Sequence, residues 1–412
     1  MSALANIKVL DLSRILAGPF CTQMLADLGA TVWKVEPPTG DDTRAWGPPF
    51  VKPAFVRGGG VDDYPGESAY YLSTNRGKKG LAVNLKDPKG REIVRRLAAQ
   101  ADVLVENYKT GSLARYGLDY ATLSKLNPRL VYLSITGYGH SGPRAEEPGY
   151  DVAIQGLIGI MSVTGEPNGP PMRVPVAWID LMTGMMGASA VMAALLERNT
   201  SGLGQHIDLS LQDVGLAAMV NLAQSYLLTG RLPERLGNAH PQIVPYGAFQ
   251  AEDGWFMLTV GNDEQYRKTC EAIGRPELWA YERFKTNAGR VNYRNELVPK
   301  LNEVFRTKPR SEWIERLSKA GVPATPVNDL RQAFADPQAQ ARGMVQEVEH
   351  PTLGAIPLVG SPLAHFSRTP AEVRVHPPML GESTQEILTG VLGLSEEEVA
   401  GLEAEGVIRV SP

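Results

Sequence analysis

The sequence predicts an α/β protein: a large domain on a Rossmann-like parallel sheet, joined to a smaller α+β domain. Two observations carry this. Through residues 1–140 short apolar runs alternate with helical ones, the pattern of a parallel sheet covered on both faces. Near residue 235 the character changes and an alternating hairpin appears. The length, 412 residues, allows two or three domains with a large core.

In chain order, IKVLDLS (7–13) is a predicted buried strand, GPFCTQMLADLG (18–29) a helix and TVWKVE (31–36) a second strand. The loop at 37–80, rich in Gly, Pro and Arg, has the length of a functional or disordered loop. LAVNL (81–85) is the next strand, and Asp87-Pro88 opens a helix to about Ala99, with a cap and Pro at its first position. Strand DVLVEN (102–107), a short helix at 120–126 and strand LVYLSIT (130–136) follow. A long apolar helix is expected over 181–198, and HIDLSLQDVGLAAM reads as a strand leading into a helix. YGAFQAEDGWFMLTV (246–260) is a hairpin turning at Asp253-Gly254. Helices are expected at 263–273, 292–306 and 312–320, the last capped by Ser311 and ended by Gly321. A second hairpin from about 343 and the helix SEEEVAGLEAEG close the chain. The domains drawn from this are 1–225 (large), 226–330 (small) and 331–412, which returns to the large domain.

Composition excludes several classes. A net charge of −4 with 21% charged residues gives no general affinity for nucleic acid or anionic membrane. Two cysteines, Cys21 and Cys270, form no disulfide framework or metal spacing; small buried hydrophobes in a cytoplasmic protein are expected. The first residues carry no signal-peptide pattern. The apolar run after Asp180 is interrupted by Thr183, Gly184, Gly187 and Ser189, so a core helix rather than a membrane span is expected. The first strand-to-helix turn, SRILAGPF, has one glycine and no dinucleotide fingerprint. There is no Walker loop or G-x-S-x-G elbow, and the six histidines lack ligand spacing, so no metal is expected.

The strand ends do carry a pattern. Arg14, Arg44, Arg76, Lys86, Lys109 and Arg115 fall at or after them, where ligands of such sheets bind. A near-neutral chain with cations there suits an anionic ligand bearing several phosphates. Asp180, at the start of the apolar helix in VAWIDLMTGMMGASAVMAALLER, reads first as a helix cap.

These stretches carry a resemblance. The opening VLDLSRILAGPFCTQMLADLGATVWKVEPP, then VENYKTGSLARYGL, LSITGYGHSGP, GYDVAIQGLIGIMSVTGEP, the Asp180 segment, SGLGQHIDLSLQD and PMLGEST resemble the family III coenzyme A transferases. That resemblance implies acyl-CoA as substrate, no permanently bound cofactor, and an interlocked homodimer. It implies backbone contacts to the nucleotide from Leu16 and Ala17, and an adenine and phosphate region at Val83, Asn84, Leu85 and Lys86. Asn107, Tyr108 and Lys109 would flank the pantetheine or pyrophosphate, Arg115 a phosphate, and Thr136, Gly137, Tyr138 and Gly139 the thioester end. Asp180 would be the nucleophile, kept ionised by its helix N-terminus, a role compatible with capping. N–H groups near Gly137–Gly139 would stabilise developing charge on the thioester oxygen.

Two departures stand out. Thr136 replaces a lysine of formyl-CoA transferase, and the glycine-rich lid of that enzyme is replaced by GNAHPQIVPYGAF (237–249). The latter resembles the branch that pairs succinyl-CoA with small dicarboxylates, whose second carboxylate needs a cation; Arg44, Arg76 and Arg173 are the candidates. A 2-methylacyl-CoA racemase is the nearest alternative, but Tyr150 stands where racemases place a histidine, and tyrosine, with a pKa near 10, is a poor base. A non-catalytic acyl-CoA-binding protein is the third reading.

Overall fold

The computed structural model describes residues 2–52 and 66–411. Two compact units divide the chain: Met1–Ile158 with Val174–Leu227 and Pro337–Pro412, and Gly159–Arg173 with Leu228–Asp336. Residues 159–173, expected in the large domain, thus belong to the second unit.

The first unit is built on a seven-stranded sheet: β1 (Lys8–Asp11), β2 (Thr31–Glu36), β3 (Lys78–Val83), β4 (Val103–Glu106), β5 (Val131–Thr136), β6 (His206–Ser210) and β7 (Ile408–Arg409). Their spatial order is β7-β3-β2-β1-β4-β5-β6. All pairs are parallel except β7 with β3, so the predicted parallel sheet is mostly parallel with one antiparallel edge strand. Side chains alternate between its faces. Leu10, Val83, Leu104 and Tyr132 join one buried cluster; Val9, Val105, Leu133 and Ile135 join the other. β3 begins three residues earlier than expected because the Lys78 side chain is buried, its ammonium bonded to Asp11 at 3.1 Å and Asn75 at 2.9 Å.

Strand order reverses between β1 and β4, the point where open α/β sheets bind ligands beyond their carboxyl ends. Here α1 (Ala17–Asp27) follows β1, and α2 (Pro88–Ala98) follows β3 with the Asp87 carboxylate capping Lys89 N. α3 (Asp151–Leu157) precedes the long apolar α4 (Trp178–Ser201), and α5 (Leu211–Ala218) starts at Ser210, whose hydroxyl caps Asp213 N at 3.0 Å.

α4 is, among the described residues, the helix long and apolar enough to cross a membrane. In the fold Ile179, Thr183, Gly184, Gly187, Ala188 and Val191 are buried, while Met185, Met186 and Leu196 are exposed. Gly184 sets the approach to α1: a Cβ there would stand 2.7 Å from the Ala17 carbonyl oxygen.

In the second unit the expected hairpin is present, Tyr246–Gln250 against Trp255–Thr259, with Ala324–Pro326 as a third strand. Helices Asp263–Ala272, Arg294–Phe305 and Arg310–Lys319 lie close to expectation, but Ser311 is not a cap: Pro309 holds that position without a side-chain bond. The second hairpin, Val345–His350 with Gly354–Val359, belongs to the first unit. Cys21 and Cys270 are both buried and free.

Gly184→Ala is expected to destabilise the protein by about 1–3 kcal/mol, because the new methyl group meets rigid backbone rather than a yielding side chain. A urea midpoint unchanged from the parent would contradict this packing.

Candidate active site

The loop after β1 is held from two sides. The Asn107 side chain accepts from Arg14 N at 2.8 Å and donates to Arg14 O at 2.7 Å. The Asp41 carboxylate accepts from Ile15 N at 3.3 Å. Between these anchors Ile15 adopts a left-handed backbone with φ of 70°, a strained conformation for a β-branched residue. The bend delivers Leu16 to the N-cap of α1, where no side chain caps the helix, so its first N–H groups are donors suited to an anion.

A cavity of about 190 Å³ opens there, lined by Arg14–Ala17, Asn107–Thr110, Ile135–Gly137, Glu147–Tyr150, Asp180 and Leu211. Gly137 and Gly149 touch backbone to backbone in its wall, where a Cβ on either would stand 2.5 Å or less from the other's Cα. Only glycine permits that approach.

Asp180 lies within the first turn of α4 and does not cap it. The cap comes from Asp151, whose Oδ2 accepts from Ile179 N at 2.7 Å and Asp180 N at 3.3 Å, while Gln155 Nε2 donates to its Oδ1 at 2.7 Å. This corrects both parts of the expectation for Asp180. Burial, and then the neighbouring Asp151 charge, raise its pKa to about 7, so the helix N-terminus does not by itself keep it ionised. Asp151 follows Tyr150 in the GYD triplet, within a motif of the family resemblance, but its capping of α4 is visible only in the structure.

Of the other predicted residues, Leu16, Ala17, Asn107, Tyr108, Lys109, Thr136 and Gly137 line the Asp180 cavity. Val83, Asn84, Leu85 and Lys86 line a neighbouring cavity of about 320 Å³. Arg14 and Tyr108 line both, the guanidinium 5.2 Å above the Tyr108 ring and its Nε buried without a partner. Arg115 is exposed and, with Tyr138 and Gly139, lines neither cavity. The Gly139 N–H is already bonded to Thr136 Oγ1 at 2.8 Å, so it is not a donor for a thioester oxygen.

Two of the cations expected at the mouth are structural. Arg44 is paired with Glu36 at 2.7 Å, and Arg76 with Asp27 at 2.7 Å, each through two guanidinium bonds. Neither lines the Asp180 cavity, whose cationic side chains are Arg14 and Lys109; Arg173 lies in the second unit. Sequence inspection missed Asp41 and Ile15, because a buried ion pair and a strained φ leave no pattern in residue spacing. Among the described residues no three His, Cys, Asp or Glu side chains gather as a metal site.

A half-buried carboxylate that shares a cavity at the switch point with the uncapped start of α1 and two cations suits acyl-group chemistry on an anionic substrate. The sequence model of CoA-transferase family III matches residues 4–384. The chain is 45% identical over 386 residues to succinate–glutarate CoA-transferase of Agrobacterium fabrum, covering 93% of this chain and 94% of that one. It is 42% identical over 406 residues to succinyl-CoA:glutarate CoA-transferase of Homo sapiens, covering 98% and 90%. Among solved structures it is similar to a CaiB/BaiF family protein from Brucella suis, with a TM-score of 0.82 and 43% identity over 95% of this chain and 99% of that one. The chain belongs to CoA-transferase family III. It is a CoA-transferase, and the non-catalytic reading falls away.

The raised pKa has a consequence for stability. An unfolded aspartate ionises near pH 4, whereas native Asp180 holds its proton up to about pH 7. Its favourable contribution is therefore complete below about pH 4 and is lost as pH rises to about 7, leaving a charged carboxylate buried. Asp180→Asn is expected to stabilise the protein by about 2–4 kcal/mol at pH 8, and by less than half that at pH 5. Equal urea midpoints for parent and variant at pH 8 would contradict the raised pKa.

Proposed function

We propose that this enzyme moves CoA from succinyl-CoA, or a similar short acyl-CoA, to a small dicarboxylic acid through covalent intermediates on Asp180. The observation that carries the reading is the position of Asp180: a carboxylate in the first turn of α4 that lines the cavity beyond the strand ends. The names of the relatives supply the donor and acceptor class.

The chemistry balances in four steps. An Asp180 carboxylate oxygen attacks the thioester carbonyl and expels CoA thiolate, leaving a mixed anhydride. The thiolate then attacks the Asp180 carbonyl, which releases the donor's acid and leaves CoA as an aspartyl thioester. The acceptor carboxylate attacks that thioester, forming a second anhydride and freeing the thiolate again. The thiolate finally attacks the acceptor's carbonyl, giving the new acyl-CoA and free Asp180.

Each tetrahedral step builds negative charge on an oxygen. The N–H groups of Ile179 and Asp180 are engaged by Asp151, so the uncapped start of α1 is the better donor set for it. With Arg44 and Arg76 sequestered, Arg14 and Lys109 are the cations suited to the phosphates or to the acceptor's second carboxylate. Racemisation would need a second acid–base group facing Asp180, and Tyr150 stands in that wall where racemases place a histidine.

The proposal extends to an interlocked homodimer. Met185, Met186, Leu196, Leu216, Val220 and Leu227 leave a broad apolar surface on α4 and the helices after it exposed in a single chain, as expected if a partner covers it.

Incubation with succinyl-CoA followed by neutral hydroxylamine should place a hydroxamate on Asp180, and Asp180→Asn should lower transfer to glutarate by at least about a thousandfold. Turnover with no label at this position would sink the covalent route. Light scattering should report twice the single-chain mass, without subunit exchange between tagged and untagged protein within minutes; a monomer would remove the dimer.

A further inference from the structure

Behind the loop that follows β4 sits a group of titratable side chains that the transfer chemistry does not use. Glu106, 4% exposed, ends β4, and its Oε2 accepts the Tyr108 N–H at 2.8 Å. Ser134 is its register partner on β5, and its hydroxyl favours the ionised form of the same carboxylate. Ser134 Oγ lies 2.9 Å from Nε2 of His206 on β6. A serine hydroxyl carries one proton, so when it is given to Glu106, Nε2 of His206 has to be the donor to Ser134.

The ring of His206 is fixed, stacked on Tyr120 with centroids 5.4 Å apart and edge-on to His140 at 5.2 Å. The three groups border a cavity of about 340 Å³ that also includes Lys109, Thr110, Asp119 and Tyr132. Burial, opposed by the Ser134 and Tyr108 bonds and aided by Asp208 on β6, raises the pKa of Glu106 to about 7. Burial and the nearby His140 lower the pKa of His206, against the pull of Asp208.

We propose that Glu106, Ser134 and His206 form a reversible hydrogen-bond relay that positions loop 107–110 and makes its grip on the coenzyme depend on pH. The coupling rests on the reading that Asn107–Lys109 contact CoA. At high pH the relay runs His206 Nε2–H to Ser134 Oγ–H to ionised Glu106, which holds Tyr108 N by a charge-assisted bond. On acidification one proton enters at His206 Nδ1. The Nε2 proton passes to Ser134, and the serine proton passes to Glu106. Glu106 is then neutral, its O–H donates to Ser134, and Ser134 donates to a bare Nε2. Histidine has changed tautomer without gaining charge, and the hold on Tyr108 is weaker. Asn107, beside Tyr108, clamps Arg14 through both backbone atoms, so the loosening extends to the α1 end of the site.

The tautomer is read by nitrogen-15 NMR of the intact protein without coenzyme. His206 should be Nε2–H near pH 8 and Nδ1–H near pH 6. Glu106→Gln, whose amide donates to Ser134 permanently, should lock Nδ1–H at both. Coenzyme binding is read by calorimetry with CoA on the Asp180→Asn protein, which removes the nucleophile's own titration. Between pH 8 and pH 6 its Kd should rise about 3- to 10-fold more than that of Asp180→Asn/Glu106→Gln, the scale of one weakened charge-assisted bond. The ionisation of CoA's own phosphates is common to both proteins. If Glu106→Gln does not fold, Ser134→Ala reads the same relay, and the His206 switch must disappear in it. A single His206 tautomer from pH 6 to 8 in the parent overturns the relay; parallel Kd curves overturn its coupling to the coenzyme. Failure of Asp180→Asn to bind CoA at any pH would instead overturn the coenzyme reading, and the coupling with it.

Discussion

The Asp41 carboxylate, 3% exposed, receives the Lys34 ammonium at 3.1 Å and the backbone and hydroxyl of Thr43 at 3.0 and 2.8 Å. It also takes the N–H of Ile15. Burial opposes its charge, yet Lys34 and the Thr43 bonds hold its pKa down to about 2, so the anchor is ionised wherever the protein is folded and near neutral pH. The left-handed backbone at Ile15 exists because this carboxylate on one side and Asn107 on the other over-determine it. Everything the site asks of the first loop follows from that clamp: α1 begins uncapped at the cavity, and Arg14 is turned toward Tyr108 between two cavities.

Around the clamp the ends of β1, β2 and β3 are packed with charge rather than hydrocarbon. Lys78 meets Asp11, Lys34 meets Asp41, and Arg44 meets Glu36, which also accepts from the Tyr71 hydroxyl. Such pairs add little net stability over apolar packing, but removing one partner strands the other in a dry interior. Their effect here is geometric. They fix loops that apolar side chains would leave free to slide, and they withdraw Arg44 from the mouth, as the Asp27 pair withdraws Arg76.

Asp180 belongs to the opposite regime. Its charge is not neutralised by a buried partner; the charge that acts on it is that of another carboxylate, Asp151. A carboxylate that is uncomfortable as an anion is more basic and gains by forming a neutral ester-like bond, which is what the proposed anhydride and thioester steps would require. Asp151 serves both ends of this arrangement. It caps α4 and so places Asp180, and its charge raises the pKa of the residue it places.

By itself the sequence determined the α/β class, the strand order of use along the chain, the hairpins and the presence of a carboxylate at the head of an apolar helix. These are local or periodic properties: alternation, runs, caps and turn residues are written in neighbouring positions. The family, too, was legible, because its motifs are short and ordered along the whole chain. Only the tertiary structure decided which charges serve the site. Arg44 and Arg76 look like Arg14 in the sequence; what separates them is their buried partners, Glu36 and Asp27, and the capping role of Asp151 is set by its bonds to α4. Asp27 engages Arg76 across 49 positions, and Asn107 engages Arg14 across 93. A side chain's charge is fixed by its type, but whether that charge is spent inside the fold or offered to a ligand is set by contacts that no spacing records.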